Sequence, residues 1–477
     1  MRVILFLLLF QVSVSGLKAQ EGSSSPTFYA SFRSYASTGK DLPFWFKANQ
    51  NGTPPLDDNA TQLLRTGFFR NMDIDTSYPW DYCYGTELVG GYTGKSYFQP
   101  NQYWAGIRYQ WLVVKAGAEA DPVRFGGLSS TNGRMDASNN ARPLPQVSLG
   151  TNGYTSFPFK SGPLTWKALY AEGILLDNSW VQNAHLHHKN FYVKMDLSGE
   201  WNISAGVEHY VFWGGTSPTL GRLPGKEAYF NYLLSRQVSK ELSNGDQVNI
   251  VGNQLGLYNL EVNKQWEYDQ LTFYWNHPFQ DRQEMKLANI SDGLWGIHWE
   301  KQKPQILNEI VYEWMHTLNQ SGNPLTSPGN GGDNYFYQGD YQSGFTHYSR
   351  MMGTPLFIPV VDANGVSNGF ESTRMWMHHV GMKGFLGKNL SWKMLMTFSR
   401  NFGTNGNYFT KPLDELSILD ELVYRIPRKS LQLLCGIASD SGNHFENRLG
   451  IYIGVKWMPV EEKRKRGSQW VNRRNRH

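Results

Sequence analysis

Cysteine is nearly absent, with only Cys83 and Cys435 in 477 residues. A disulfide-stapled scaffold is thereby excluded, leaving one bridge at most or two free, buried thiols. Long apolar runs are missing as well. Beyond the N-terminus no segment reaches the ~18 consecutive apolar residues of a membrane-spanning helix, and the mean hydropathy is −0.49. Basic charge is scarce where a nucleic-acid surface would need it. The formal net charge of +5 comes from the ends: Glu461 to His477 holds seven Lys or Arg against two Glu, and Arg2 and Lys18 add to it. The body between them is close to neutral, so nucleic acid is not an expected partner. Catalytic signatures are lacking too. There is no H-E-x-x-H, no C-x-x-C and no P-loop. A glycosidase needs two facing carboxylates, and no such pair stands out among the many Asp and Glu. A secreted polysaccharide-cleaving enzyme is therefore the weakest of the function classes.

The chain opens MRVILFLLLFQVSVSGLKAQ. A short positive start, an apolar core from Val3 to Val14 and a small residue at Ala19 read as a secretory signal over residues 1–19. The destination is then the periplasm, the exterior or an outer membrane, whose barrel strands need no continuous apolar run. No repeat of 20–50 residues and no domain-sized linker follows. One all-β domain over 20–458 is the economical reading, ahead of a solvated basic tail over 459–477.

Aromatic residues, in contrast, reach 14% of the chain and include 17 Trp, a composition that fits aromatic girdles at two membrane interfaces. The clearest strand is "WNISAGVEHYVFW", Trp201 to Trp213. Trp201, Ile203, Ala205, Val207, Val211 and Trp213 fall on one face, broken only by His209, while Asn202, Ser204, Glu208 and Tyr210 fall on the other. The same alternation runs through Leu449 to Trp457, Trp392 to Phe398, and Tyr258 to Val262, which a tight turn joins to "YDQLTFYW". In "NEIVYEWMH", Ile310, Tyr312 and Trp314 oppose Glu309 and Glu313. A soluble core rejects such carboxylates, whereas a water-filled lumen accepts them. Two segments read as short helices instead. Leu413, Leu416, Leu419 and Leu422 are near helical spacing ahead of Pro427, and Asp58 to Ala60 permit a helix start before "TQLLRTGFF".

Connection lengths orient the chain. "DLSGE" after Met195 is short, and the stretch from Gly214 to Asn231 is long. Outer-membrane barrels put short turns on the periplasmic side. The strand "AHLHHKNFYVKM" descends into DLSGE, so its histidines belong at the outer mouth. His185 and His187 share one face and His188 takes the other. A zinc site would need further ligands such as Glu208 or His209. The simpler reading is a polar rim above a stripe of Phe191, Val193 and Met195, with Asn190, Tyr192 and Lys194 facing the lumen.

Two polar loops complete the candidates. Gly133 to Gln146 carries Arg134, Asp136, Asn139, Asn140 and Arg142, and Pro328 to Ser349 carries Asp333, Asn334, Tyr335 and Tyr341. Aromatic planes stack on sugar rings, and Asn, Asp and Arg satisfy hydroxyls. The same residue types are ordinary turn formers, so the loops alone leave both readings open. The candidate glycan-binding set is Arg134, Asp136, Asn139, Asn140, Arg142, His185, His187, His188, Glu208, Asp333, Asn334, Tyr335 and Tyr341.

Read in order, "LPFWFKANQNGTPP", "GRMDASNNARPLPQ", "NAHLHHKNFYVKM", "GVEHYVFWGGTSP", "NQLGLYNLEV", "TFYWNHPFQDR", "ISDGLWGI", "GDNYFYQGDYQSGFTHYSRMMGTP" and "HHVGMKG" resemble the Wzi family of capsule-assembly proteins, in the form common in Bacteroidetes. The resemblance spans Leu42 to Trp457. It implies a transmembrane antiparallel β-barrel of roughly eighteen strands, with short helical elements in loops or on the periplasmic side. It also implies a non-enzymatic, lectin-like role in holding capsular polysaccharide at the cell surface. The implied partners are that polysaccharide, outer-membrane lipids and, during biogenesis, the barrel-assembly machinery, with no cofactor and no metal. A porin-like diffusion channel is the alternative function, with Glu309 and Glu313 as selectivity charges.

Overall fold

The computed structural model describes residues 26–72, 78–157, 162–197, 199–234, 252–280, 284–320 and 333–459. The expected signal segment and the basic tail beyond Pro459 lie outside them. No helix among the described residues is long and apolar enough to cross a membrane. The strands are β1 (Thr27–Ser37), β2 (Ala60–Arg70), β3 (Trp80–Tyr92), β4 (Ser96–Tyr109), β5 (Leu112–Ala118), β6 (Gln146–Thr151, resuming at Thr155–Ser156), β7 (Leu164–Ile174), β8 (His185–Asp196) and β9 (Trp201–Trp213). They continue with β10 (Asn253–Gln265), β11 (Asp269–Phe279), β12 (Gly293–Lys301), β13 (Glu309–His316), β14 (Met375–Phe385), β15 (Leu390–Thr404), β16 (Asn407–Arg425), β17 (Leu431–Gly442) and β18 (Arg448–Trp457). Each pairs antiparallel with its sequence neighbours, and β1 also pairs with β18, Ala30 opposite Trp457. The sheet thus closes into an 18-strand barrel, and closure leaves no unpaired edge in the membrane.

Alternation decides which side chains meet lipid. On β18, Leu449, Ile451 and Ile453 are exposed, and Tyr452 between them is buried. Aromatics border the apolar band at both levels. Trp201, Trp266, Tyr268, Tyr424 and Trp457 are exposed near the end that carries the short turns. Towards the other end Trp275, Trp295 and Trp314 form one register row on the outer face. The long connections 38–59, 119–145, 214–252 and 317–374 all leave from that second end, which is therefore the extracellular one.

Both helix expectations fail. Residues 407–425 form β16, hydrogen-bonded along its length to β15 and β17. The leucines three apart mislead because Leu416 and Leu422 face outward while Leu419 is buried inside. Residues 60–70 are β2. Pairing on both sides overrides local spacing. The described helices are short, at Phe44–Lys47, Phe125–Gly127, Lys226–Leu233 and Glu284–Lys286, all in connections at the extracellular end. Cys83 is buried, Cys435 is exposed, and both are free.

Three of the long connections fold into the barrel and plug it. The first contributes Leu42, Phe44, Trp45 and Phe46, the second Leu128 and Met135, and the third Tyr335, Phe336, Phe345, Met351 and Phe357. All are buried in one cluster with the wall residues Leu63, Phe212, Leu257, Tyr274, Val311 and Met377. Backbone hydrogen bonds knit the segments together: Asn51 N–H donates to Asn139 at 2.6 Å, Ser138 to Met352 at 2.9 Å, and Thr354 to Met135 at 2.9 Å.

The plug is tied to the wall by Glu313, which is fully buried. Its carboxylate accepts from Ser129 Oγ at 2.5 Å, Ser130 N at 2.7 Å, Ser130 Oγ at 2.5 Å and Tyr274 OH at 2.6 Å. Beside it His379 Nε2 donates to Leu128 O at 2.7 Å. The plug backbone comes so close that a Cβ on Gly381 would lie 2.2 Å from Leu128 O. Glu309 is paired to Lys383 at 2.7 Å. The expectation that Glu313 faces lumen water is therefore corrected: plug donors occupy it. Glu313→Ala would strand four donors at a cost of about 3 kcal/mol or more. The variant is expected to assemble as a barrel with unchanged heat-modifiable mobility, yet to be cleaved by added protease within 119–145. Wild-type resistance in the variant would show that the plug is held elsewhere.

Candidate functional site

The segment 119–145 leaves the top of β5, crosses the lumen and returns to the top of β6. Its tip at Leu128 to Ser130 meets β13 and β14, and its returning limb at Arg134 meets β8 and β9, where strand alternation aims His188, Asn190 and Tyr192 of β8, and Glu208 and Tyr210 of β9, at the lumen. One network joins them. Glu208, fully buried, accepts from Tyr192 OH at 2.6 Å and meets His188 Nε2 at 2.6 Å. Arg134 Nη2 lies 3.1 Å from the Glu208 carboxylate and donates to Tyr210 OH at 2.9 Å. Arg134 also pairs with Asp136. The His188 ring stacks on Tyr210, centroids 4.0 Å apart and 8° between planes. Burial alone would lower the Arg134 pKa, but the Asp136 and Glu208 carboxylates raise it well above its ordinary value. Arg134 is thus a fixed charge, neutralised on both sides.

Beside this network is a pocket of about 190 Å³ between the plug segment and the wall. Arg134, Asp136, Asn139, Arg142, His188 and Asn190 line it, with Asp121, Tyr210 and Phe345. Two of these groups are unspent. Asn139 Oδ1 is buried with no hydrogen-bond partner among the described residues. Arg142 has no carboxylate at ion-pair distance among them, and its guanidinium sits 4.0 Å over the Tyr348 ring. Burial lowers the Arg142 pKa against the pull of Tyr348, Tyr103 and Asp177, so the site has an under-compensated cation and an orphan acceptor. That pair of groups suits a hydroxyl-rich ligand that also carries an acid.

The other sequence candidates fall elsewhere. Asn140 donates to Met351 O at 2.9 Å and lines a separate recess of about 410 Å³, where Arg448, Lys47 and His444 already pair with Asp41, Asp440 and Glu371. His185 and His187 point away from the lumen. His187 meets Glu172 at 2.7 Å, and His185 stacks on Trp213 beneath the Lys226–Leu233 turn. The three histidines thus share neither a rim nor a ligand set. Tyr335 and Tyr341 are buried, the first hydrogen-bonded to Asn289 and Asp292 and the second to Gly214 O. As plug residues they offer no stacking face, which corrects that part of the sequence reading. Asn334 is held by Asn405 and Thr373, and Asp333 O accepts from Asn405. Sequence analysis did not single out Tyr192 and Tyr210 as site residues, although each shares a lumen face with a residue it did, His188 and Glu208. Asp121 carried no such signal.

Among the described residues His298, Glu300 and Glu309 bring donor atoms within 4.8 Å of one another. Lys383 already serves as the cation there, 2.7 Å from Glu309, so the group is satisfied as a salt bridge.

Comparison with known proteins agrees with this architecture. No curated protein matches the sequence. By structure, the chain is similar to Wzi of Escherichia coli, described as an outer membrane protein involved in group 1 capsule assembly and a carbohydrate-binding β-barrel. Identity is 12%, the TM-score is 0.56, and the match covers 90% of this chain and 83% of that one. Two Pseudomonas aeruginosa outer-membrane proteins are more distant. OccK5 (OpdH) has 10% identity, a TM-score of 0.47 and coverage of 91% and 98%. OprD has 12% identity, a TM-score of 0.47 and coverage of 93% and 97%. The family profile described as capsule assembly protein Wzi matches residues 94–358, which include the plug segment 119–145 and the strands β8 and β9 that face it. The chain is therefore an outer-membrane β-barrel and belongs to the Wzi family of capsule assembly proteins.

Proposed function

We propose that this barrel is a non-enzymatic lectin that binds capsular polysaccharide at its extracellular mouth, in the pocket between the plug segment 119–145 and the wall of β8 and β9. The observation that carries the reading is the pocket itself. It sets the unspent Arg142 cation and Asn139 Oδ1 beside a rigid frame of Arg134, Asp136, Glu208 and His188. A frame whose charges neutralise one another keeps its shape, leaving the two unspent groups to select the ligand. The carbohydrate binding described for the Escherichia coli protein of the same family points the same way.

Arg142→Gln combined with Asn139→Ala is expected to reduce cell-bound capsule at least fivefold, with the released polymer recovered in the medium and barrel mobility unchanged. Full retention by the double variant would remove this pocket from the function. Tyr335→Phe serves as a control: it deletes a buried hydroxyl that no ligand reaches, and should leave retention intact. The diffusion-channel reading is addressed separately. With the lumen filled by the segments packed around Phe46, Leu128 and Phe357, purified protein in planar bilayers is expected to be nearly closed. A stable ohmic conductance of porin size would restore the channel reading.

A further inference from the structure

The lumen below the plug carries charge that the outer pocket does not use. Antiparallel register places Arg65 of β2 opposite Ser31 of β1, Ser31 opposite Lys456 of β18, Lys456 opposite Gln432 of β17, and Gln432 opposite Arg425 of β16. These residues form one row across five adjacent strands. It lies on the lumen face: Arg65 reaches the buried Glu87, and Lys456 alternates with the outward Trp457 and Val455. Cations occupy every second strand, about 10 Å apart at ordinary strand spacing, with a hydroxyl and an amide between them. Arg33 faces the same side one pair higher on β1. The row sits at the short-turn end, where β16 and β18 finish.

The carboxylates of this wall are already engaged. Glu87 takes Arg65 at 3.0 Å, with Tyr29 and Asn101 at its other lone pairs. Glu421 takes Lys393 at 3.1 Å and Tyr452. Arg33, Lys456 and Arg425 have no carboxylate at ion-pair distance among the described residues. Arg33 and Lys456 rest instead on the rings of Tyr452 and Tyr29. Arg65 Nε is buried without a hydrogen-bond partner among the described residues. Just below the row a recess of about 310 Å³ continues it with Arg425, Lys429, Ser430 and Gln432. Like charges gathered on one wall, Arg65 and Lys456 half-buried and Arg425 exposed, raise one another's energy, and an anion relieves all of them at once.

We propose that this row is a second site, facing the periplasm, for an acidic polysaccharide whose carboxylates pair with Lys456 and Arg425, beside the Glu87-bound Arg65, while Ser31 and Gln432 meet its hydroxyls. A polymer that engages several cations together gains by multivalency what each exposed pair alone would not supply. Lipid phosphate is disfavoured because the row faces the lumen and not the bilayer. The inference rests on the carbohydrate reading above, adding to it an acidic ligand and a second face.

The test uses the full chain in detergent micelles, with Thr27→Cys in the recess and Cys435→Ser removing the exposed native thiol. Oligogalacturonate is expected to protect the new thiol from a maleimide, and neutral maltohexaose is not. Lys456→Gln with Arg425→Gln should raise the protecting concentration at least tenfold at low salt. Should the double variant fail to show the mobility of a folded barrel, Arg425→Gln alone, at the exposed rim, should raise it about threefold. Equal protection by the neutral oligomer, no protection by either, or unchanged protection in the folded variants would overturn the row. Arg142→Gln provides the separation. Loss of capsule retention in that variant with thiol protection intact upholds both sites, and the same loss with no protection in any protein overturns the row alone. Protection that survives while Arg142→Gln with Asn139→Ala leaves capsule retention intact overturns the outer pocket alone.

Discussion

The architecture depends on one buried carboxylate. Glu313 is on a strand of a membrane barrel, where a charge removed from water costs several kcal/mol. It is tolerable because four donors converge on it, three of them from Ser129 and Ser130 of the inserted segment. Charge-assisted hydrogen bonds return about 1.5–3 kcal/mol each, so the desolvation is offset only when the segment is in place. The wall and the plug therefore stabilise each other: without the segment, Glu313 would need water. Glu208, four strands away on β9, repeats the arrangement with Arg134 as its plug partner. Two wall acids thus hold neighbouring points of one crossing segment, Ser129–Ser130 and Arg134.

That crossing creates the pocket. A loop free at the barrel mouth would present Arg134, Asp136, Asn139 and Arg142 in many arrangements and lose conformational freedom on binding. Held by Glu313 through Ser129 and Ser130 and by Glu208 through Arg134, and bonded to the neighbouring plug segments through Asn51, Asn139 and Met352, it presents one. Binding groups and plug residues then coincide in 119–145, one of the three insertions that fill the lumen.

The barrel was largely legible in the sequence because a strand's two faces have a period that no neighbour can alter. The alternation in Trp201–Trp213 and Leu449–Trp457 assigned outer and lumen faces correctly, although Val211 and Trp213 are covered by the Lys226–Leu233 segment and not by lipid, and the short DLSGE turn oriented the histidine strand. The leucines of β16 misled because a triplet spacing is compatible with a strand once both faces are apolar. What could not be read was the plug. Nothing local in "PGNGGDNYFYQGDYQSGFTHYS" distinguishes a solvated loop from one folded inward, since Gly, Asn and aromatic residues serve both. The difference lies in partners hundreds of residues away. For the same reason Glu313 read as water-facing and Tyr335 as exposed, although each is buried against the other side of the insertion. The pocket residues of 134–142, His188 and Glu208 were recognisable by type, but their meeting depends on a crossing that only the fold supplies.

The histidines at the start of β8 behave the same way at single-residue scale. His187 and His188 are adjacent in sequence and each meets a carboxylate, Glu172 and Glu208, yet the barrel wall lies between them. One helps to pin an outer turn through Tyr229, and the other supports the floor of the pocket through Tyr210. A metal reading counts the histidines as one cluster, whereas the strand divides them into two environments with different work. In a barrel the sign of a residue's index, odd or even along its strand, decides more about its chemistry than its nearest neighbours do.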